Sequence, residues 1–250
     1  MKNKIISIFI FFLSFSLYAE QTEITTTGGI EVFKQEKYYL LKDNVVIISD
    51  NFELRADHVK AFFEKDLYDI VQINSKGNVT FISKRGLEGK GEKIDMNLIN
   101  QDIFIEGKES LLINNNIIMQ SDKTIAVNNL SGKFKIDGNS SQLTGEGIFI
   151  SGSLIEGFFL NIDGINEVQK MYVWDKTEVN IQTETLNMFS LEAKYNKKDD
   201  IIELFNKVKV IRDNESVEGD YAKINTLTES YKVTSKNKKK VKILLNESTE

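Results

Sequence analysis

The 250-residue sequence contains no cysteine, no proline and a single histidine. Without cysteine there are no disulfides, no thiolate zinc sites and no cysteine nucleophile. With His58 alone, metal sites built from several histidines are excluded and a histidine-based triad has one candidate. Without proline, no turn is fixed by a pyrrolidine ring and no strand is interrupted by one. Arginine is scarce too: Arg55, Arg85 and Arg212 stand among 32 basic residues that are otherwise lysine, whereas phosphate and nucleic-acid readers favour the arginine fork. The net charge of −5 also argues against a nucleic-acid partner. What is present is a 41% hydrophobic content, enough to pack a core and to exclude global disorder.

The N-terminus reads as an address. Lys2 and Lys4 precede an apolar run, Ile5 to Leu17, broken only by serines, and Tyr18-Ala19 places a small residue before Glu20. This is the order of a secretory signal over residues 1–19, cleaved between Ala19 and Glu20. The run is shorter than the about 20 apolar residues that span a membrane. Leu17, two positions before Ala19, is larger than a cleavage site prefers, so an uncleaved N-terminal anchor is the alternative. An exported chain without cysteine fits a bacterial periplasm, where disulfides are permitted but not required.

Period-two alternation dominates the rest. From Val71 to Phe81 the odd positions are Val71, Ile73, Ser75, Gly77, Val79 and Phe81, with polar residues between them; this predicts a half-buried strand with a bend at Gly77. Tyr39–Ile47, Ile103–Gly107, Phe134–Gly138 and Leu204–Val210 repeat the rhythm. Asp137-Gly138 and Asp163-Gly164 read as turns between strands. Helical spacing is confined to Glu184–Tyr195, where Leu186, Phe189 and Ala193 could share a face, and strand is preferred there as well. An all-β barrel or sandwich follows.

A short pattern recurs: apolar, any, small, often acidic, any, apolar, any, apolar. It begins at Leu54 (Leu54-Arg55-Ala56-Asp57-His58-Val59), and returns at Leu87, Met119, Leu143 and Val217, more loosely at Ile155 and Ile181. The spacing predicts one surplus residue per unit, as in a β-bulge, with His58 in the extra position. The small third residue (Ala56, Gly89, Ser121, Gly145, Gly219) fits a crowded corner. Units of this size share a continuous core only by stacking, giving a quasi-one-dimensional β body with two ends.

These residues resemble the OstA-like family, the LptA-type β-jellyroll modules of lipopolysaccharide transport; the second half is also similar to LptC-type members. The resemblance rests on Gly77-Asn78-Val79-Thr80-Phe81, with Leu54-Arg55-Ala56-Asp57 before it and Leu87-Glu88-Gly89-Lys90 after it, and on Val217-Glu218-Gly219-Asp220-Tyr221-Ala222. Asp43 and Asn206 stand where the family has glycine, and Glu109 stands at an apolar position. The resemblance implies an OstA-like β-jellyroll of stacked antiparallel strands around an open V-shaped groove, with jellyroll repeats over 20–138 and further LptA- or LptC-like repeats over 139–250.

It also implies a non-enzymatic periplasmic carrier of lipopolysaccharide from inner to outer membrane, without a cofactor or metal. The acyl chains of lipid A would lie along Val45, Ile47, Ile73, Val79, Phe81, Ile94, Ile105, Phe134, Ile136, Ile148, Val208 and Val210, each of which is equally a core position by alternation alone. Partners would be membrane-bound transport components, and like copies head to tail, joined by strand addition at free edges. A structural β-solenoid of the envelope that carries no lipid, and a membrane-tethered LptC-like component, are the alternatives.

Other chemistry is thin. Gly86-Leu87-Glu88-Gly89-Lys90-Gly91 lacks the Lys-Ser or Lys-Thr of a phosphate loop. Asp57-His58 reads as surface on the bulge, and Asp199-Asp200 as turn-forming. Trp174 reads as core or a cap, with ligand stacking as the alternative. Lys236 to Lys240 guard a last strand at Val241–Leu245, or meet anionic lipid phosphates.

Overall fold

Alternation sends successive side chains to opposite faces of a strand, and that rule governs nearly the whole chain. A computed structural model describes residues 22–49, 51–65, 69–84, 86–145, 147–236 and 240–245; the signal segment, the Ala19–Glu20 pair and most of the lysine run lie outside them. The strands are β1 (Glu23–Thr25), β2 (Ile30–Phe33), β3 (Tyr38–Ile48), β4 (Phe52–Phe63), β5 (Ile70–Ser83), β6 (Leu87–Asn97), β7 (Asp102–Glu106), β8 (Ser110–Asn114), β9 (Ile117–Ser121), β10 (Thr124–Asn128), β11 (Lys133–Gly145), β12 (Ile148–Ile162), β13 (Ile165–Gln182), β14 (Asn187–Asn196), β15 (Ile201–Arg212), β16 (Glu215–Asn225), β17 (Tyr231–Thr234) and β18 (Lys242–Leu245). One short 3-10 turn, Lys197–Asp199, is the only helical element among the described residues, and Asp200 closes it in the left-handed region, so the Asp199-Asp200 turn is as expected. Glu184–Tyr195 runs into strand β14 rather than a helix.

All ladders are antiparallel and join strands close in sequence. Each long strand bends once near its middle, so its two halves serve two facing layers. In one layer an inward row passes through Ile47, Leu54, Phe81, Gly89, Leu112, Met119, Leu143, Ile150, Ile181, Met188, Val210 and Val217. In the other the row passes through Leu41, Val59, Ser75, Ile94, Ile105, Ile125, Ile136, Ile155, Val173, Ala193, Leu204 and Ala222. Both rows are buried. Ser75, the polar member, donates its hydroxyl to the Ile94 carbonyl at 2.7 Å, which satisfies it. A Cβ on Gly89 would stand 3.1 Å from Phe81 and 3.3 Å from Ile105 of the facing layer, so the small residue there answers to crowding.

The layers meet along a corner. Strand β3 places two residues, Asp43 and Asn44, where β4 places Asp57 alone; β5 places Gly77 and Asn78 where β6 places Glu92; β15 places Asn206 and Lys207 where β16 places Asp220. All six residues of these two-residue steps have φ between 47° and 77°. Left-handed backbone favours Gly, Asn and Asp, which is why Asp43 and Asn206 substitute for glycine without changing the fold. Each step returns a valine to the interior: Val45, Val79 and Val208 are at most 2% exposed.

The corner removes N–H groups from the ladder, and acidic side chains collect several of them. Ser140 N–H donates to Asp122 (3.2 Å) and Lys236 N–H to Asp220 (3.0 Å), while Asp57 accepts instead from the side-chain NH₂ of Asn78 (3.1 Å). Buried or crowded backbone donors need such partners, and this gives the acidic position of the repeat its role.

Five expectations are corrected. The surplus residues lie in the Gly77-Asn78 type of step, not in the Leu54–Asp57 type, and His58 is in register, paired with Lys42 and Lys76. The repeat at Leu87 is offset by two, because Gly91-Glu92, not Gly89-Lys90, matches Ala56-Asp57 at the corner. Leu143 to Ile150 is no unit at all, since it crosses the connection between β11 and β12. Asp137-Gly138 lies inside β11 at a register shift, while Asp163-Gly164 forms the turn between β12 and β13 with φ of 52° and 85°. Trp174 is 42% exposed, because it alternates with buried Val173 and Asp175.

Asp175 occupies the longest corner step, in β13. Burial alone would raise its pKa, but hydrogen bonds from the Ser153 hydroxyl, from the Thr177 hydroxyl and N–H, and from the Glu178 N–H outweigh burial and hold the carboxyl down to about 2. A depressed carboxylate stabilises the fold above its unfolded pKa, here 3.8, and that contribution is lost as pH falls toward 2. Asp175→Asn is therefore expected to cost roughly 1–3 kcal/mol at pH 7. The difference from wild type should shrink between pH 4 and pH 2, as read by urea unfolding at each pH.

Candidate functional site

Opposite the corner, the far ends of the two layers form a pair of rims. Near the N-terminal half these rims stand apart and enclose an opening of about 470 Å³, inside the range of roughly 300–1,000 Å³ that ligand pockets occupy. Phe52, Phe81 and Leu87 wall it from one layer; Ile73, Met96 and Ile103 wall it from the other; Leu98 stands at the lip, 43% exposed. Asn51, Ser83, Asn97, Gln101, Asp102 and Asn129 complete the rim. Asp102 is the one ionisable group among the described lining residues.

Further along, the rims are joined. Asn114 donates to Asn129 (3.1 Å). Asn166, 1% exposed near the tip of the β12–β13 hairpin, donates its N–H to the Asn116 side chain (2.8 Å) and its amide to the Asn114 carbonyl (3.0 Å), and Asn116 donates back to the Asn166 carbonyl (2.9 Å). Behind this clasp the interior holds a gap of about 30 Å³ beside Ile117, Ile148, Met171 and Ile181, room for little more than one water. At the C-terminal end, Arg212 donates to the Glu229 carbonyl, and the Tyr231 hydroxyl donates to Glu215 at 2.9 Å, again bridging the rims.

Of the twelve groove candidates, Ile73 and Phe81 line the opening and Ile148 borders the small gap. Ile148 is half-buried; the other eleven are at most 5% exposed. Val45, Ile47, Val79, Ile94, Ile105, Phe134, Ile136, Val208 and Val210 face inward within the same packed core. The rim residues and the asparagine clasp were not singled out from the sequence. Asparagine is common in this chain, and the partners at 116 and 166 are fifty positions apart, so no local spacing marks them.

A larger concavity, about 720 Å³, lies elsewhere, on the outer face of the second layer, beside Lys133, Lys170, Lys194, Lys223, Glu156 and Glu203. It is open to solvent and mixed in charge, so it cannot shield an acyl chain from water. Asp57 and His58 diverge: the carboxylate serves Asn78 at the corner, and His58 is exposed between two lysines. Among the described residues no group of three or more His, Cys, Asp or Glu could hold a metal ion, and no helix is long and apolar enough to cross a membrane.

A family described as LptA/(LptD N-terminal domain) LPS transport protein matches residues 29–129. Over these residues the chain is similar to the LptA/LptD N-terminal family. The matched LptA-family segment contains every residue that lines the opening, from Asn51 to Asn129. No curated protein matches the chain. Among solved structures, LptH of Pseudomonas aeruginosa, described as the LptA homologous periplasmic component of the lipopolysaccharide transport device, is similar at 8% identity over 91% of this chain and 96% of that one. Its TM-score is 0.23, and a superposition so loose carries no argument about shape or function.

Proposed function

We propose that this chain is a periplasmic carrier that holds the acyl chains of lipopolysaccharide in the opening between its layers and passes the lipid from the inner toward the outer membrane. The observation that carries the reading is an apolar cleft lying wholly within the segment matched to an LPS-transport family. Each CH₂ withdrawn from water contributes about 0.8 kcal/mol, so a multi-chain lipid needs a continuous apolar wall to move through an aqueous space. Ile73 and Phe81 form the accessible part of that wall, and the remaining candidates form its continuation when the rims separate.

The ends support the proposed hand-over. Among the described residues, β1 and β2 pair only with β3, and β17 and β18 only with β16. Each end thus offers strand edges for addition to membrane components or to another copy. Cleavage before Glu20 would leave a soluble bridge; an uncleaved segment would leave a tethered, LptC-like component. Peptide mapping of the N-terminus of the exported protein separates the two.

A photo-crosslinking residue at Phe81 or Leu98 is expected to capture glycolipid in cells, and one at Phe104, on the outer face of β7, is expected to capture none. Equal labelling at all three positions, or none at Phe81 and Leu98, would sink the carrier reading. The alternative is a structural β body between membranes, which the packed interior behind the clasp favours; it predicts no adduct at any of the three.

A further inference from the structure

We infer that the rim of the N-terminal opening is built for a hydroxyl-rich headgroup, a sugar that presents no phosphate to residues 97–102. The inference rests on the carrier reading and narrows its ligand.

The rim leaves a particular set of polar atoms available. Asn97 Oδ1 accepts from the Ile99 N–H (3.0 Å) and the Asn100 N–H (2.9 Å), and Asn129 Oδ1 accepts from Asn114 (3.1 Å). Both side chains therefore have their oxygens engaged inside the protein and keep their NH₂ groups as donors. Asp102 Oδ1 accepts from Asn128 (2.6 Å), which leaves its second oxygen as an acceptor. Gln101 contributes a further amide. Donors and a carboxylate acceptor thus alternate around an apolar well. A hydroxyl both donates and accepts and fits such a set. A phosphate only accepts, and beside Asp102 it meets a like charge. The well below takes an apolar tail, so the ligand class is an acylated sugar whose sugar edge at this rim is unphosphorylated.

The test uses the full exported chain and three probes: an acylated disaccharide without phosphates, the same molecule with phosphates on both sugars, and a free fatty acid. Dissociation constants are measured at low and high salt. The unphosphorylated glycolipid is expected to bind about tenfold or more tightly than its phosphorylated counterpart, with no dependence on salt. Asp102→Asn, an exposed change at the start of β7, is expected to bring the two within about threefold by removing the repulsion. Phosphorylated lipid that binds as well or better, or a preference that Asp102→Asn leaves unchanged, overturns the inference while the carrier reading stands. Binding of the fatty acid alone also overturns it, since the rim then reads no sugar. Failure of all three probes to bind removes the carrier reading itself.

Discussion

Gly77→Val is expected to lower the unfolding free energy by roughly 2–5 kcal/mol. Gly77 has φ of 77°, a conformation that a β-branched residue adopts only at a cost. A Cβ there would also stand 2.7 Å from Asp57 Cγ, so the carboxylate must leave and its bond with Asn78 is lost. The two costs are separable. In the background of Asp57→Ala the valine should be about 1 kcal/mol less damaging, because the clash with the carboxylate is gone while the backbone strain and the 2.8 Å approach to the residue-57 Cβ remain. Urea unfolding of the four proteins of this cycle reads both quantities. A neutral Gly77→Val would mean that the left-handed step does not form the corner.

Asn166→Ala is expected to cost about 2–4 kcal/mol. The Asn166 amide serves the buried Asn114 carbonyl, and its oxygen accepts from Asn161 at 2.8 Å. Removing it leaves the buried Asn114 carbonyl without a partner, at about 1–3 kcal/mol, and the lost bond from the exposed Asn161 adds about 0.5–1.5 kcal/mol. The bonds between the Asn116 side chain and the Asn166 backbone survive the change, so the hairpin stays nearby but loosened. Amide exchange should rise at residues 114–117 and 163–168 and stay unchanged at the β3–β4 corner. A uniform rise would show instead that the clasp is no more than one part of a single cooperative unit.

The fold was legible wherever the periodicity was strict. Val71 to Phe81 reads directly as strand β5 with its bend at Gly77, and Asp163-Gly164 reads as the turn it is. The corner was misplaced because both partners in a bulge look irregular in sequence: Leu54–Asp57 and Gly77–Val79 face each other, and only the register shows that the second carries the surplus residue. Asp137-Gly138 failed as a turn signal because neither residue adopts positive φ; the pair sits inside β11 at a register shift, where a Cβ on Gly138 would stand 2.6 Å from the Ser121 hydroxyl.

The candidate site was legible in a weaker sense. Alternation finds inward residues, and eleven of the twelve candidates are buried. It says nothing about where two layers part, because that depends on which rims approach in space. Phe52, Leu87, Met96 and Leu98, which line the opening, follow from the positions of turns rather than from any motif.

The order of the ladders has a kinetic consequence. Every registered pairing among the described strands joins strands no more than three places apart in chain order, so few long loops need closing before native pairs form, and the entropic delay of most β architectures is small. Assembly can lengthen hairpin by hairpin from whichever unit forms first. The exception is the link between Asn116 and Asn166, which waits for four intervening strands. It should be the last piece to lock, and the first to release when the protein begins to come apart.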